Sequence, residues 1–212
     1  MPDRLVPAPA RRWAVLLLAL CIAVTVLLGA GFARHRSAGW FDTAVDERAT
    51  AFVNRRPAWL GLLALADPVL VIAVCVAIAA LCLAARRWRG AVLVMVSVPA
   101  ATALTEYVLK PLVHRTLNGA VSFPSGHATG VFTVAAAITV LVAQPPRRRV
   151  PPLLRASVAL GVWCLAGAVT VAIVGVHAHY ATDTIGGAAV GTATVLLAAL
   201  LLDRPPHLAA PR

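Results

Sequence analysis

Six long apolar segments dominate this 212-residue chain and leave it few ways to fold. Each is close to the roughly 20 residues that an α-helix needs to cross the hydrocarbon core of a bilayer. The predicted spans are Trp13–Phe32, Trp59–Ala85, Ala91–Leu109, His127–Ala143, Ala156–Val176 and Thr184–Leu202. The pattern predicts an all-α, polytopic membrane protein. Its six transmembrane helices form one compact bundle at residues 13–202, between short tails at residues 1–12 and 203–212.

The first span follows a basic start, as the apolar core of a secretory signal peptide does. Its 20 charge-free residues are more than the roughly 7–15 usual in such a core, and only a weak cleavage site follows. We therefore expect a retained membrane helix rather than a cleaved signal.

Positive charge is concentrated between the spans. The chain has 19 Lys and Arg residues against 8 Asp and Glu, a net charge of +11. These cations flank apolar segments without forming a basic, aromatic-rich surface, so they predict membrane orientation and not nucleic-acid binding. Twelve of them lie in the tails and in residues 86–90 and 144–155, which the positive-inside rule assigns to the cytoplasm. In this cell-membrane protein both termini are then cytoplasmic, and loops 33–58, 110–126 and 177–183 face outward.

The second outward loop ends in Ser125-Gly126-His127, which opens the fourth span. Serine is a favoured helix N-cap, and the free N–H groups of a first helical turn attract an anion. Gly126 lets an oxyanion approach the backbone closely. The same residues also suit an ordinary capped helix start with a histidine at the membrane interface.

His179 and Asp183 in the third outward loop are four residues apart and share a face in a helical turn. A carboxylate held against one imidazole nitrogen fixes the tautomer and leaves the other nitrogen nucleophilic. Asp183 equally suits a cap for the sixth span. Glu106 is spaced to pair with Lys110. Lys110 and Arg115 supply two cations at the membrane edge, where snorkelling is their ordinary role.

Together the two loops offer cations, an anion-binding helix start, a histidine backed by a carboxylate, and a second histidine. That set suits phosphoryl transfer through a phosphohistidine, which requires no metal or other cofactor. His177-Ala178-His179 has a spacing that can chelate a metal, but no cysteine or acidic ligand set accompanies it. The four cysteines lie inside apolar segments without metal-ligand spacing. No metal site is predicted.

Three motifs in this order resemble the signature blocks of the type 2 phosphatidic acid phosphatase family, whose relatives include the vanadium haloperoxidases. They are Lys110, Phe-Pro-Ser-Gly-His at residues 123–127, and His179-x-x-x-Asp183. The resemblance covers residues 90–195, and it implies a membrane lipid phosphatase with its active site at the outer face. It implies that His179 is the nucleophile, oriented by Asp183, and that His127 protonates the leaving alkoxide. It also implies that Lys110, Ser125 and the Gly126 backbone N–H hold the phosphate oxygens.

Two family arginines are missing from their expected positions. Leu117-Asn118 stands where the first block has Arg-Pro, and Ala172-Ile173 stands where the third block has Ser-Arg. A hydrogen bond to a charged group contributes about 1.5–3 kcal/mol, so their loss weakens the site unless other groups replace them. Arg115 is the expected substitute for the first arginine. His177 and His114 are the available substitutes for the second.

Three functions therefore stay open. They are an active lipid phosphatase with a rearranged phosphate site, a catalytically weak relative that binds lipid headgroups or acts as a scaffold, and a haloperoxidase-like or metal-based use of the histidines. The expected partners are a lipid phosphate and the bilayer. Phosphatidic acid, phosphatidylglycerol phosphate and polyprenyl phosphates or pyrophosphates all suit the site. Gly186, Gly187 and Gly191 allow close helix packing within the chain or between chains, which leaves the oligomeric state open.

Overall fold

A computed structural model describes residues 4–144 and 150–204 of the protein. The predicted tails and the arginine-rich loop at 144–155 lie partly outside these residues. The α-helices are α1 (Arg11–Gly31), α2 (Trp40–Arg55), α3 (Pro68–Ala84), α4 (Trp88–Ala103), α5 (Lys110–Val113), α6 (Gly126–Ala143), α7 (Pro152–Gly175) and α8 (Ala181–Leu202). Short 3₁₀-helices span Ala8–Ala10 and Pro57–Ala66, and a π-helical segment spans Leu104–Leu109. Two strands, β1 (Thr116–Leu117) and β2 (Ala120–Val121), form a hairpin.

The predicted all-α polytopic fold is confirmed. Within the described residues, five helical segments are long and apolar enough to cross a membrane: Ala8–Gly31, Trp88–Val113, α6, α7 and α8. The 3₁₀-helix Pro57–Ala66 and α3 make the sixth span if they are counted together, and they meet at a bend of 60°. Asp67 causes the break, because its Oδ1 accepts hydrogen bonds from the N–H groups of Val69 (2.8 Å) and Leu70 (3.2 Å) and so starts a new helix.

The bundle has two distinct ends because successive spans run in opposite directions. The end where α6 and α8 begin carries α2, the β-hairpin and the histidine-containing loops, and we call it the site end. At the opposite end, the Asp203 carboxylate accepts hydrogen bonds from the N–H groups of Leu5 and Val6, each 2.8 Å long. The N-terminal and C-terminal segments therefore lie at the same end of the bundle.

The closest helix packing in the bundle joins α8 to α6 within the chain. A Cβ atom at Gly187 would lie 2.5 Å from the carbonyl oxygen of Ser125, and one at Gly191 would lie 2.7 Å from that of Thr129. A third glycine, Gly186, makes room for the buried ring of Phe123. These glycines bring the starts of α6 and α8 together, and they thereby bring together the two loops that carry the predicted site.

Gly191→Val is expected to destabilise the protein, because the backbone and side chain of α6 leave no space for a branched side chain. Overpacking of this kind costs about 1–3 kcal/mol. Gly161→Val in α7 is the matched control, since a Cβ there meets nothing within 4 Å. Thermal unfolding in detergent should show a lower midpoint for Gly191→Val alone. Equal midpoints for the two variants would contradict the close packing of α6 and α8.

The hairpin occupies the positions where the related family has its first arginine. Thr116 pairs with Val121 and Leu117 with Ala120, which leaves Asn118 and Gly119 as the two turn residues. Both have positive φ angles, 51° and 82°, as in the type I′ turns for which Asn-Gly is the preferred sequence. Leu117 and Asn118 thus belong to the last strand position and the turn of a tight hairpin, and no arginine stands at either position.

Candidate active site

A cavity of about 470 Å³ opens at the site end between α3, α4 and α6. Its inner part is apolar and lies among the membrane spans, where it is lined by Ala66, Pro68, Val71, Ile72, Val98, Pro99, Thr102, Ala103 and Gly130. Its outer part is polar and is lined by Glu106, Tyr107, Lys110, Gly126, His127 and His179. A second cavity of about 170 Å³ between α3, α6 and α7 has an almost wholly apolar lining and presents no reactive side chain. The first cavity, whose polar part includes both His127 and His179, is therefore the candidate active site.

The helix start that the sequence predicts to bind an anion lies at the cavity wall. Ser125 is the N-cap of α6, and its Oγ accepts a hydrogen bond from the Ala128 N–H (3.3 Å). Its own N–H donates to the Asp183 carbonyl oxygen (3.0 Å), which fixes the loop against α8. Ser125 is fully buried and does not line the cavity, whereas Gly126 does. The serine thus shapes the helix start, and Gly126 presents it to the cavity.

Two histidines face each other across the polar part of the cavity. The ring centroids of His127 and His179 are 5.8 Å apart. The Nδ1 of His179 lies 3.1 Å from the carbonyl oxygen of Ser122. A carbonyl only accepts hydrogen bonds, so this contact assigns the hydrogen to Nδ1 and leaves the lone pair on Nε2. His179 therefore has the tautomer that a nucleophilic histidine needs, and the Ser122 carbonyl holds it.

Asp183 lies behind His179 without being its hydrogen-bond partner. Its Oδ2 is 3.9 Å from His179 Nδ1, which is too long for a hydrogen bond. That oxygen accepts a bond from the Tyr180 N–H (3.2 Å) in a capping box, and Oδ1 accepts one from Arg115 (2.7 Å). The direct contact between Asp183 and His179 that we expected is thus replaced by the Ser122 carbonyl. Asp183 instead places a buried negative charge close to the ring. As a further difference from the sequence prediction, α8 begins at Ala181 rather than at Thr184.

Arg115 does not take the phosphate-binding place that we expected for it. Its side chain is fully buried and does not line the cavity. Nη1 donates hydrogen bonds to Asp183 Oδ1 (2.7 Å) and Thr182 Oγ1 (2.6 Å), and Nη2 donates to Asp42 Oδ2. The guanidinium is committed to two carboxylates because they are buried with it, and a buried charge requires a partner.

The aromatic rings of Phe32 and Tyr180 enclose the Arg115 guanidinium. The guanidinium carbon lies 4.0 Å from the centre of the Phe32 ring and 4.2 Å from that of Tyr180. Cations over ring faces are stabilised most where water is excluded. The arginine is therefore held beside Asp183 by rings and carboxylates together.

Asp42 is a residue of the site region that sequence reasoning missed. It lies on α2, is fully buried, and accepts hydrogen bonds from the N–H (2.9 Å) and Oγ1 (3.0 Å) of Thr182 as well as from Arg115. Asp46 lies one turn later on α2, and its pKa is raised to about 6, mainly by burial and also by the neighbouring charge of Asp42. The sequence signal that could have identified it is the spacing of two acids, Asp42 and Asp46, one helical turn apart in residues 33–58. Together these contacts fasten α2 to the start of α8.

Lys110 and Glu106 form the ion pair that their spacing predicts, at distances of 2.7 and 2.8 Å from Nζ to the two carboxylate oxygens. Both side chains line the cavity. Glu106 lies within the π-helical segment Leu104–Leu109, and Lys110 directly follows it. Wider helical turns of this kind occur often at functional sites.

The other substitutes that we considered for the missing arginines lie outside the cavity. His114 is exposed, and His177 Nε2 lies 3.2 Å from Thr50 Oγ1 on α2. Ala172 and Ile173 are buried in the bundle. Among the described residues that line the cavity, Lys110 is therefore the only lysine or arginine. His179 lines the cavity, whereas His177 contacts Thr50 outside it, so the two do not form a shared metal site. The described part of the chain shows no cluster of three His, Cys, Asp or Glu side chains placed to hold a metal.

Comparison with known proteins agrees with this architecture. The profile of the PAP2 superfamily matches residues 97–205. The structure is similar to the crystal structure of a transmembrane PAP2-type phosphatidylglycerolphosphate phosphatase from Bacillus subtilis, with a TM-score of 0.67 and 20% sequence identity. The match covers 85% of this chain and 93% of the Bacillus chain. A search of curated protein sequences found no significant match.

Proposed function

Because the chain belongs to the PAP2 superfamily, we propose that it hydrolyses the phosphate ester or pyrophosphate of a membrane lipid. The observation that carries this proposal is the cavity itself: two histidines face each other at its polar end, while its apolar end lies among the membrane spans. A lipid phosphate has the same division between a charged head and an apolar tail. The Bacillus structure of similar fold is described as a phosphatase of such a lipid.

The first chemical step is attack of His179 Nε2 on phosphorus. The Ser122 carbonyl holds the Nδ1 hydrogen during this step, and the buried Asp183 carboxylate stabilises the positive charge that develops on the ring. The bond from phosphorus to the lipid oxygen breaks, and protonated His127 gives its proton to that oxygen. The products are a phosphohistidine at residue 179 and the lipid alcohol, or the lipid monophosphate where the substrate is a pyrophosphate.

The second step is attack of water on the phosphohistidine. His127, now neutral, accepts a proton from the water, and the bond between Nε2 and phosphorus breaks to release inorganic phosphate. In both steps Lys110 and the free N–H groups at the start of α6 stabilise the charge on the phosphate oxygens. All these groups belong to the chain, so the mechanism requires no metal ion.

The site end faces the outside of the cell in this proposal. The cations of residues 86–90 belong to the opposite end of the bundle, as does Asp203 next to the C-terminal tail. The positive-inside rule places that end in the cytoplasm. The lipid tail stays among the spans and enters the apolar part of the cavity, while the phosphate reaches the histidines at the outer interface.

Purified protein in detergent, with EDTA present, is expected to release phosphate from at least one member of a panel of lipid phosphates. The panel contains phosphatidic acid, phosphatidylglycerol phosphate, a polyprenyl phosphate and a polyprenyl pyrophosphate, with glycerol 3-phosphate as the tail-free control. The apolar cavity predicts faster release from the preferred lipid than from the control. No release from any lipid by folded protein would contradict the proposal and favour a headgroup-binding or scaffold role.

His127→Ala tests the assignment of the proton donor. General acid catalysis contributes about 10²–10⁴-fold to a rate, so turnover of an alkyl phosphate lipid is expected to fall by that factor. A p-nitrophenyl ester leaves without needing a proton, and its first step should be much less affected when the initial burst of nitrophenol is measured. Val142→Ala, near the other end of α6 and away from the cavity, is the control for helix perturbation. Equal loss with both leaving groups would contradict the role of His127 as an acid.

A further inference from the structure

The phosphate-binding part of the cavity already contains an anion supplied by the chain. The Glu106 carboxylate lies against the start of α6, where a Cβ atom at Gly126 would be 2.7 Å from Oε1. Both of its oxygens contact Lys110 Nζ, at 2.7 and 2.8 Å. Glu106 thus occupies the space beside the glycine and neutralises the lysine that a substrate phosphate requires.

The balance of charge in the cavity follows from this ion pair. Among the described lining residues, Glu106 and Lys110 are the two that are charged irrespective of histidine protonation, and their charges cancel. A phosphate dianion that reaches Lys110 and Gly126 meets the carboxylate at contact distance. Two anions so close repel each other strongly where water is partly excluded. The phosphate and Glu106 therefore compete for the same place.

We propose that Glu106 is an internal competitor for the phosphate site and thereby determines its preference for lipids. This inference rests on the proposed function, since the ligand is the phosphate of the substrate. The carboxylate holds Lys110 and the Gly126 surface while the cavity is empty, and the substrate phosphate displaces it. The head of the ligand then contributes little net affinity, so binding depends on burial of the tail in the apolar part of the cavity. Phosphates without a tail bind weakly, and the inorganic phosphate product leaves readily.

The structure shows why the glutamate is the partner that moves. The side chain of Glu106 is 38% exposed, whereas that of Lys110 is 19% exposed. The ion pair with Lys110 is the only hydrogen-bonded contact shown for the Glu106 side chain among the described residues. Rotation about its side-chain bonds carries the carboxylate into the open cavity, while Lys110 stays beside the start of α6.

The test is direct binding of inorganic phosphate, measured by titration calorimetry on purified protein in detergent. Glu106→Gln keeps the size of the side chain and removes its charge. It is expected to bind phosphate about tenfold more tightly than the wild type. Glu106→Ala should show the same direction if the glutamine variant folds poorly. Glu47→Gln, which removes an exposed carboxylate on α2, should bind like the wild type.

Two further measurements separate this inference from the proposed function. Lys110→Gln is expected to lose phosphate binding, and lipid phosphate turnover by the wild type shows independently that the cavity is an active site. If the wild type turns over lipid while both Glu106 variants bind phosphate no more tightly than it does, the competitor role is overturned and the phosphatase proposal stands. If neither turnover nor phosphate binding occurs in any folded variant, both are overturned.

Discussion

His179→Ala is expected to abolish the turnover of lipid phosphate while the protein remains folded. Removal of a nucleophile lowers the rate by about four orders of magnitude or more, since the remaining groups of the site have nothing through which to act. The fold should tolerate the change, because the ring borders the cavity. The hydrogen bond that the ring donates to the Ser122 carbonyl can be supplied by water that enters the cavity.

The matched control for this variant is His177→Ala. That histidine is two residues away and contacts Thr50 on α2, outside the cavity. Initial rates and thermal unfolding midpoints of both variants separate loss of chemistry from loss of structure. Turnover by His179→Ala within an order of magnitude of the wild type would remove His179 as the nucleophile.

Arg115→Met is expected to destabilise the protein severely and to abolish activity with it. The substitution leaves Asp42 and Asp183 as buried carboxylates without their cation, and breaking a buried ion pair in this way costs about 3–5 kcal/mol. Asp42→Asn in the same chain removes one of the two orphaned charges and is expected to recover part of the lost stability. The measurement is chemical or thermal unfolding of the two variants beside the wild type.

A surface arginine supplies the control for Arg115. Arg55 lies exposed at the end of α2, so Arg55→Ala is expected to change neither stability nor turnover appreciably. An Arg115→Met protein as stable as the wild type, but with a raised KM, would contradict the buried network and would restore Arg115 as a phosphate ligand. The structure predicts instead that Arg115→Met lowers the stability of the protein, and that activity is lost because the protein unfolds.

The sequence predicted the spans well because their signal is local. Each membrane helix is a continuous apolar segment, and the one break inside a predicted span falls at Asp67-Pro68, where the sequence itself is interrupted. Lys110, Gly126, His127 and His179 line one cavity because the short loops that carry them meet at one end of the bundle. Their convergence follows from topology, which the alternation of spans already determines.

The supporting contacts could not be predicted, because they join residues far apart in the chain through geometry that leaves no local pattern. The Ser122 carbonyl that holds His179 is a backbone group 57 residues away, and any residue type supplies one. Asp42 reaches Arg115 across 73 residues, from a segment that the sequence assigns only to an outward-facing loop. The position of Arg115 near the motif predicts a phosphate-binding role, whereas its side chain is buried against Asp183.

The missing family arginines have a structural explanation at both positions. The position of the first arginine falls in the hairpin that turns at Asn118-Gly119. The position of the second falls at Ala172-Ile173, which is buried inside the bundle. The cavity therefore operates with Lys110, the start of α6 and two histidines. A site with so little positive charge depends on its apolar part for affinity, which agrees with a lipid substrate and with the role inferred for Glu106.

Trapping the intermediate is the most direct test of a covalent phosphohistidine at residue 179. His127→Ala protein is mixed with a nitrophenyl phosphate monoester whose ring carries an alkyl tail, quenched in alkali, and mapped by peptide mass spectrometry. Since His127 also activates the water of the second step, the phosphorylated enzyme should accumulate, with the phosphate on His179 and none after His179→Ala. Phosphate found on another residue, or nitrophenol released with no covalent phosphate at any time point, would contradict the account.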